Sequence, residues 1–238
     1  MKLLSILHCE ALKVLRSSVF WIVVISFAAM PIMIGFVSYN NVPDTGWEPY
    51  LTDLLGSITA ILMIGFSFTS CWVFGREYAD KTISELLVKP VSRLYAVLSK
   101  FIIIFLWDIM MAFFMFTVVF ILGIFIGLKG GSWPLIVNSF LTYLAASLAT
   151  MVVSTISALL ANVSKGYLAP IGLAFLTVII SNVVATAGFS SYFPWTIPSL
   201  LLSGIPLGTA SITILAVTGI IGFAGTIAWW RFAEQQKV

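Results

Sequence analysis

The sequence predicts an all-α polytopic membrane protein: a single transmembrane domain, residues 1–238, with six transmembrane helices and an N-terminal interfacial amphipathic helix. Three observations predict it. Hydrophobic residues make up 61% of the 238 residues and charged residues only 9%, whereas soluble domains carry about 25% charged residues. Six apolar runs reach the ~20 residues that a bilayer-spanning helix needs. When these runs are threaded through a bilayer in order, 11 of the 12 Lys and Arg residues fall on one side.

Residues 1–18 are predicted to form a helix that lies in the cytoplasmic membrane interface. At the helical period, the apolar side chains share an arc of roughly 120°. Basic residues on the wet face suit an interfacial position. The arc contains Leu3, Leu4, Leu7, Ala11, Val14 and Leu15, and the polar residues outside it include Lys2, Glu10, Lys13 and Arg16. A plain flank before the first span is the alternative interpretation.

The six spans are predicted at about residues 19–38, 54–75, 98–128, 133–161, 167–188 and 210–230. Pro31 predicts a kink in the first span, because proline cannot donate a helical hydrogen bond. The third span is longer than a bilayer needs, so we expect it to tilt or to extend into water. An even number of spans places both termini on the same side.

The distribution of basic residues places both termini in the cytoplasm. The inside set is then Lys2, Lys13, Arg16, Arg76, Lys81, Lys89, Arg93, Lys100, Lys165, Arg231 and Lys237, and only Lys129 is outside. The acidic loop 39–53 is then also outside. Because the basic residues are expected at membrane edges, the net charge of +3 does not indicate nucleic-acid binding.

The segment 188–209 is predicted to lie at the outer surface, and it contains no charged residue. Its three prolines exclude one continuous helix, so we expect short pieces dipping into the outer interface, where Trp and Tyr are favoured. Two interpretations stay open: an aromatic anchor, or a lid over a transport pathway. The lid candidates are Tyr192, Phe193, Pro194, Trp195 and Pro198.

Most catalytic signatures are absent from the sequence. It has no Gly-rich phosphate-binding loop, so it cannot bind ATP by that route. His8 is the single histidine, and there is no Cys-x-x-Cys pair or His-Glu-x-x-His motif. These absences argue against a metal site and against an intramembrane protease. Cys9 and Cys71 do not suggest a disulfide framework.

Asp108 is the one ionisable residue predicted to lie inside a span. A buried charge in a membrane is costly and therefore a functional candidate, for example as a proton relay. The alternative is an acid near the inner interface, hydrogen-bonded to a neighbouring helix or to a basic loop residue.

Small and polar residues inside the spans are also open to two interpretations. Gly123-x-x-x-Gly127 and Gly219, Gly222 and Gly225 predict close helix packing. A set of hydroxyl and amide side chains in the second and fifth spans could line a path or could bond helix to helix. This set comprises Ser67, Thr69, Ser70, Thr177, Ser181, Asn182 and Thr186.

The segment 76–97 is predicted to be a charged cytoplasmic loop between the second and third spans. Thr82-Ile-Ser-Glu85 matches a capping box, in which the Thr82 hydroxyl accepts from the Glu85 backbone N–H. Pro90 cannot continue a helix, so we expect a two-turn helix over residues 83–89. Ile83, Leu86 and Leu87 are spaced i, i+3, i+4 and form one apolar knob. The knob either docks in a cleft of another protein or rests on the protein's own surface.

The sequence of this loop closely resembles the loop of ABC-2-type permeases. Their pattern is Glu, a few residues, Gly-Thr, Leu-Leu, then Pro-x-Ser-Arg; Glu77, Thr82, Leu86, Leu87, Pro90, Ser92 and Arg93 match it. Lys81 stands where many members have glycine. The resemblance covers the whole chain. Tyr192-Phe-Pro-Trp195-Thr-Ile-Pro198 also looks like an outer motif of small members linked to peptide-antibiotic immunity and bacitracin-type resistance.

The resemblance implies the membrane-spanning permease of a bacterial ABC exporter of the type V kind, in the plasma membrane. It implies pairing with a second permease, identical or related, and with two copies of a separate ATPase subunit that holds the ATP and Mg. This chain would then hold no cofactor and catalyse no reaction. The expected ATPase-coupling residues are Glu77, Lys81, Thr82, Ile83, Glu85, Leu86, Leu87, Pro90, Ser92 and Arg93.

The cargo expected first is a lipophilic peptide or drug, because the pathway candidates are weakly polar and uncharged. A polysaccharide, a lipid or an ion is the alternative cargo. Two rival functions are a proton- or ion-driven secondary transporter that uses Asp108, and a membrane assembly or sensory subunit that transports nothing.

Overall fold

The computed structural model describes residues 3–41, 46–83 and 92–232, and this part of the chain is almost entirely helical, with no strands. Its α-helices are α1 (Leu3–Leu15), α2 (Ser18–Asn41), α3 (Trp47–Ala79), α4 (Arg93–Ile126), α5 (Trp133–Val163), α6 (Leu168–Thr186), α7 (Ile197–Leu202) and α8 (Thr209–Phe232). Among the described residues, α2 to α6 and α8 are the six helices long and apolar enough to cross a membrane. The predicted fold class is confirmed.

Helices α3 and α5 form the centre of the bundle. They pack along each other, α8 packs along α5, and α2 packs on α4. In the most apolar stretch of α3, 67% of the residues are buried, against 17% in α6. The side chains of α6 therefore point mostly away from the bundle.

The close packing of α8 on α5 depends on glycine, as predicted. A Cβ atom at Gly219 would lie 2.6 Å from Val152 Cγ1, and one at Gly225 would lie 2.9 Å from Leu159 Cδ2. A Cβ atom at Gly222 would overlap Thr155. These three glycines, spaced one helical turn apart, let the two helix backbones approach.

The prediction that both Gly123 and Gly127 allow close helix packing is correct for Gly123 and wrong for Gly127. Gly123 does provide space, because a Cβ there would collide with the ring of Trp47. Gly127 instead ends α4 in the left-handed region, with φ at 75°, and nothing lies within 4 Å of its Cβ position. Its role is to end the helix, since glycine takes this conformation without steric cost.

The helices on either side of the charged loop extend further than predicted. α3 begins at Trp47 rather than near residue 54, and it ends at Ala79. α4 begins at Arg93 rather than near residue 98. Much of the predicted loop 39–53, and both ends of the predicted loop 76–97, are therefore helical. At its start, α3 is held by the Trp47 N–H, which donates to the Lys129 carbonyl at 3.1 Å.

The face by which α1 packs on the bundle overlaps only part of the predicted apolar arc. Its buried residues are Ile6, Glu10 and Val14, spaced one turn apart. Leu4 and Leu15, which belong to the predicted arc, are exposed on the outside of the protein, whereas Leu7, Ala11 and Val14 of the same arc pack against the core. The interfacial position of α1 stays a prediction. Glu10, predicted on the wet face, is buried because it has charged partners inside the protein, which periodicity of apolar residues alone does not reveal.

Candidate functional site

Four charged side chains meet where α1, α3 and α4 converge, and we call them the charge cluster: Glu10, Lys13, Glu77 and Lys100. Lys100 Nζ lies 2.7 Å from Glu77 Oε1 and 2.9 Å from Glu10 Oε2. Lys13 Nζ bridges the same two carboxylates, at 2.7 Å from Glu10 Oε1 and 3.2 Å from Glu77 Oε1. Each carboxylate therefore contacts both ammonium groups, and the four formal charges cancel.

Three members of the charge cluster are removed from solvent. The exposed fractions are 5% for Glu10, 2% for Glu77 and 0% for Lys100. Burial on its own would raise the pKa of Glu10, but the charges of Lys100 and Lys13 outweigh burial and lower it. Burial opposes the charge of Lys13 too, yet Glu10 and Glu77 raise its pKa. Glu10 and Lys13 are thus ionised at neutral pH. Charge-assisted hydrogen bonds hold the cluster together.

The charge cluster continues into the turn after α3. The Thr82 hydroxyl donates to Glu77 Oε2 at 2.6 Å. Lys81 has φ at 56°, in the left-handed region that glycine enters most easily. This backbone conformation explains why glycine fits the position that Lys81 occupies. Glu85, the predicted capping partner of Thr82, lies outside the described residues, so the capping box stays a prediction.

The other end of the loop is attached to different helices. Arg93 Nη1 donates to the Trp230 carbonyl in α8 at 3.3 Å. The Trp230 indole N–H donates to Asn162 Oδ1 in α5 at 2.6 Å, and the Tyr78 hydroxyl donates to the same oxygen at 3.3 Å. Asn162 thereby connects the last turns of α3, α5 and α8.

The predicted coupling residues are thus divided between two attachments. Glu77 and Thr82 join α1 and α4, and Arg93 joins α8. Ile83 is half-buried and packs against the protein's own core. Ser92 precedes α4 without a side-chain capping hydrogen bond. The remaining predicted residues, Glu85, Leu86, Leu87 and Pro90, lie outside the described residues.

Replacing Asn162 with Leu is expected to destabilise the protein by about 1–3 kcal/mol, because the buried Trp230 indole N–H would lose its acceptor. The measurement is thermal unfolding of the purified protein in detergent. The matched control is Asn182→Leu, since Asn182 is exposed on α6 and bonds its own helix, at the Val178 carbonyl. Equal melting temperatures for the two variants would contradict this role of Asn162.

Asp108 lies deep inside the bundle. It is about 22 Å along the α4 axis from Arg93 at 1.5 Å per residue, and it is fully buried. The Thr69 hydroxyl of α3 donates to Asp108 Oδ1 at 2.6 Å. This is the predicted hydrogen bond between Asp108 and a neighbouring helix. Asp108 Oδ2 has no hydrogen-bond partner among the described residues.

The other polar residues of the spans bond mainly within the helices. Ser70 reaches across to Ser154 of α5, with 3.3 Å between the hydroxyl oxygens. In α6, the side chains of Thr177, Ser181, Asn182 and Thr186 all donate to carbonyls of their own helix. Ser67 is buried in α3. Thr69 and Ser70 therefore make hydrogen bonds between helices, whereas the polar side chains of α6 make hydrogen bonds within their own helix.

The segment 188–209 forms short pieces, as its prolines predicted. A 3-10 helix, Ser190–Tyr192, is followed by α7, whose first turn contains Pro198. The Thr196 hydroxyl donates to the Ser190 carbonyl at 2.6 Å and to the Phe193 carbonyl at 2.8 Å, which closes the turn between them. Among the lid candidates, Tyr192 is exposed and Pro198 is buried; Phe193, Pro194 and Trp195 are half-buried.

Two comparisons with known proteins agree with this architecture. Residues 6–181 match the family model for ABC-2 family transporter proteins. The chain belongs to the ABC-2 family of transporter proteins. It is also similar to the bacitracin transport permease protein BCRB of Bacillus licheniformis, with 26% identity over 180 residues, which cover 72% of this chain and 86% of that protein.

Membership in the ABC-2 family defines the general role of the chain. It is the membrane subunit of an ABC transporter, a multi-pass protein of the plasma membrane, and the family implies an ATPase partner. All four residues of the charge cluster lie inside the matched region. A secondary transporter that works through Asp108 is therefore not the function that we propose.

Most of the charge cluster was not predicted from the sequence. Glu10 was expected on the wet face of α1 and Lys100 at the membrane edge. One signal was available: Lys100 lies two turns inside an apolar helix, and a lysine at such a position needs a partner. Its partners, Glu10 and Glu77, are distant in sequence, so only the fold identifies them.

Proposed function

We propose that this ABC-2 family protein is the permease subunit of an ATP-driven exporter. In this proposal, ATP and Mg bind to a separate ATPase chain, present in two copies, and this chain holds no cofactor. The loop between α3 and α4, which faces the cytoplasm, receives the movement of the ATPase. A second permease, identical or related, completes the membrane pathway.

The observation that carries the proposal is the attachment of the loop at both ends. Glu77 and Thr82 attach its beginning to α1 and α4 through the charge cluster, and Arg93 attaches its end to α8. A displacement of the loop therefore acts on α1 and α8 as well as on α3 and α4, the two helices that it connects. ATP-driven closure of the ATPase pair would shift this assembly between two arrangements and open the pathway beneath the segment 188–209.

The cargo that we propose is a hydrophobic or amphipathic compound, such as an antimicrobial peptide or drug. Two observations support it. The named relative is a bacitracin transport permease. Two grooves in the described part of the bundle are lined mostly by apolar side chains. Export rather than import is expected from the resemblance of the loop to those of ABC-2 exporters.

Leu86→Asp is expected to abolish association with the ATPase while the permease stays in the membrane. Its carboxylate would enter the predicted docking knob, where a charge without a partner costs several kcal/mol. The measurement is co-purification of the ATPase with a tagged permease. Ile205→Asp serves as the control, because Ile205 is exposed at the opposite end of the bundle, after α7. Normal recovery of the ATPase with Leu86→Asp would refute the assignment of the knob.

A further inference from the structure

A groove of about 440 Å³ lies between α4, α5 and α8, with Ser70 of α3 at its base. This volume is within the range of small-molecule sites, about 300–1,000 Å³. Its walls are mostly apolar and include Phe101, Phe105, Leu148 and Phe223. Phe105, Leu148 and Phe223 are also partly exposed, so the groove opens on the outside of the described bundle.

Asp108 is part of the wall of this groove, and among the described residues it is the only ionisable one there. It is fully buried, and its Oδ2 atom has no hydrogen-bond partner in the described part of the chain. Thr69 bonds the other oxygen, Oδ1. In contrast, Glu10 and Glu77 each contact two lysine ammonium groups. Asp108 is thus a buried carboxyl group whose second oxygen the described part of the protein leaves unsatisfied.

A second groove of the same size provides an internal comparison. It lies between α2, α3 and α6, and its described lining residues, such as Phe27, Ile64 and Phe175, include no ionisable group. Apolar walls alone would suit an alkyl chain in either groove. The carboxyl group of Asp108 adds a chemical preference to one of them: a ligand that brings a positive charge.

We propose that the groove between α4, α5 and α8 binds a lipophilic amine, with Asp108 as the counter-ion of its ammonium group. The ammonium would supply the missing partner of Oδ2, and the apolar body would lie against the phenylalanine and leucine side chains. Such a pair is strong in apolar surroundings, where little water competes with it. The proposal concerns binding by this chain and holds whether or not the amine is then transported.

The test uses two photoreactive probes with the same body: a dodecylamine that carries a diazirine, and its N-acetylated neutral form. The purified protein is reconstituted in phosphatidylcholine vesicles, labelled with each probe and digested, and the labelled residues are mapped by mass spectrometry. We expect the amine to label α4, α5 and α8 on the order of tenfold more than the acetamide does. In Asp108→Asn, which keeps an acceptor for Thr69, the two probes should label equally.

Two further variants keep the test decisive if Asp108→Asn does not fold. Leu148→Trp would fill the groove and should reduce labelling by both probes. Phe175→Trp, in the groove without an acid, should leave the labelling of α4, α5 and α8 unchanged. Equal labelling of the native protein by the two probes would overturn the proposal, as would a preference for the amine that survives in Asp108→Asn.

Discussion

Lys100→Met is expected to lower the melting temperature of the purified protein more than any other single change in the charge cluster. Lys100 is fully buried and contacts both carboxylates, so its loss leaves two buried negative charges that only Lys13 offsets. Breaking a buried ion pair by removing one partner costs about 3–5 kcal/mol. The methionine side chain keeps most of the volume, so the effect reports the missing charge rather than a cavity.

The charge interpretation predicts a rescue. In the triple variant Glu10→Gln, Glu77→Gln and Lys100→Met, no buried carboxylate is left uncompensated, and we expect part of the lost stability to return. Lys129→Met is the control, because Lys129 is exposed at the other end of the bundle and should change stability by at most about 0.5 kcal/mol. Thermal unfolding in detergent measures the melting temperatures of the single variant, the triple variant and the control. A triple variant that melts no higher than the single variant would refute the interpretation.

Gly222→Ala is expected to force α8 away from α5. The added Cβ would overlap Thr155, including its backbone carbonyl carbon at 2.6 Å, and a helix backbone cannot move aside as a flexible side chain can. Overpacking of this kind costs about 1–3 kcal/mol. Because α8 also carries Trp230, the displacement should weaken the attachment of Arg93 at the end of the loop.

Gly172→Ala is the matched control for the packing of α8. Gly172 is also a helical glycine, but nothing lies within 4 Å of its Cβ position. Because alanine favours helix by about 1 kcal/mol over glycine, this variant should be neutral or slightly more stable. Thermal unfolding compares the two variants, and a cysteine pair placed across α5 and α8 would report the displacement by its rate of crosslinking. Equal stability of the two variants would contradict the proposed contact.

The features that the sequence predicted correctly are those that depend on local composition. Apolar runs of sufficient length identified the six membrane helices, because a helix satisfies its own backbone hydrogen bonds without a partner. Prolines divided the segment 188–209 into short pieces, and the spacing of Gly219, Gly222 and Gly225 indicated a close helix contact. The loop pattern from Glu77 to Arg93 indicated the ABC-2 family.

The features that the sequence predicted wrongly are those that depend on partners distant along the chain. α3 extends back to Trp47 because that residue is held by Lys129 and fits beside Gly123. Glu10 is buried because Lys100 is placed opposite it. These contacts leave no periodic pattern in the sequence around Trp47 or Glu10. The start of α3 and the burial of Glu10 therefore could not be predicted from those segments alone.

The sequence by itself therefore determined the class of protein: a six-helix membrane subunit of the ABC-2 family with a charged loop between its second and third spans. Only the tertiary structure decided how that loop is attached, through the charge cluster at Glu77 and through the carbonyl of Trp230 at Arg93. The physical reason is the range of the interactions. Hydrophobic length and turn residues act within a segment, whereas a buried charge is stable only where the fold brings its counter-charges together.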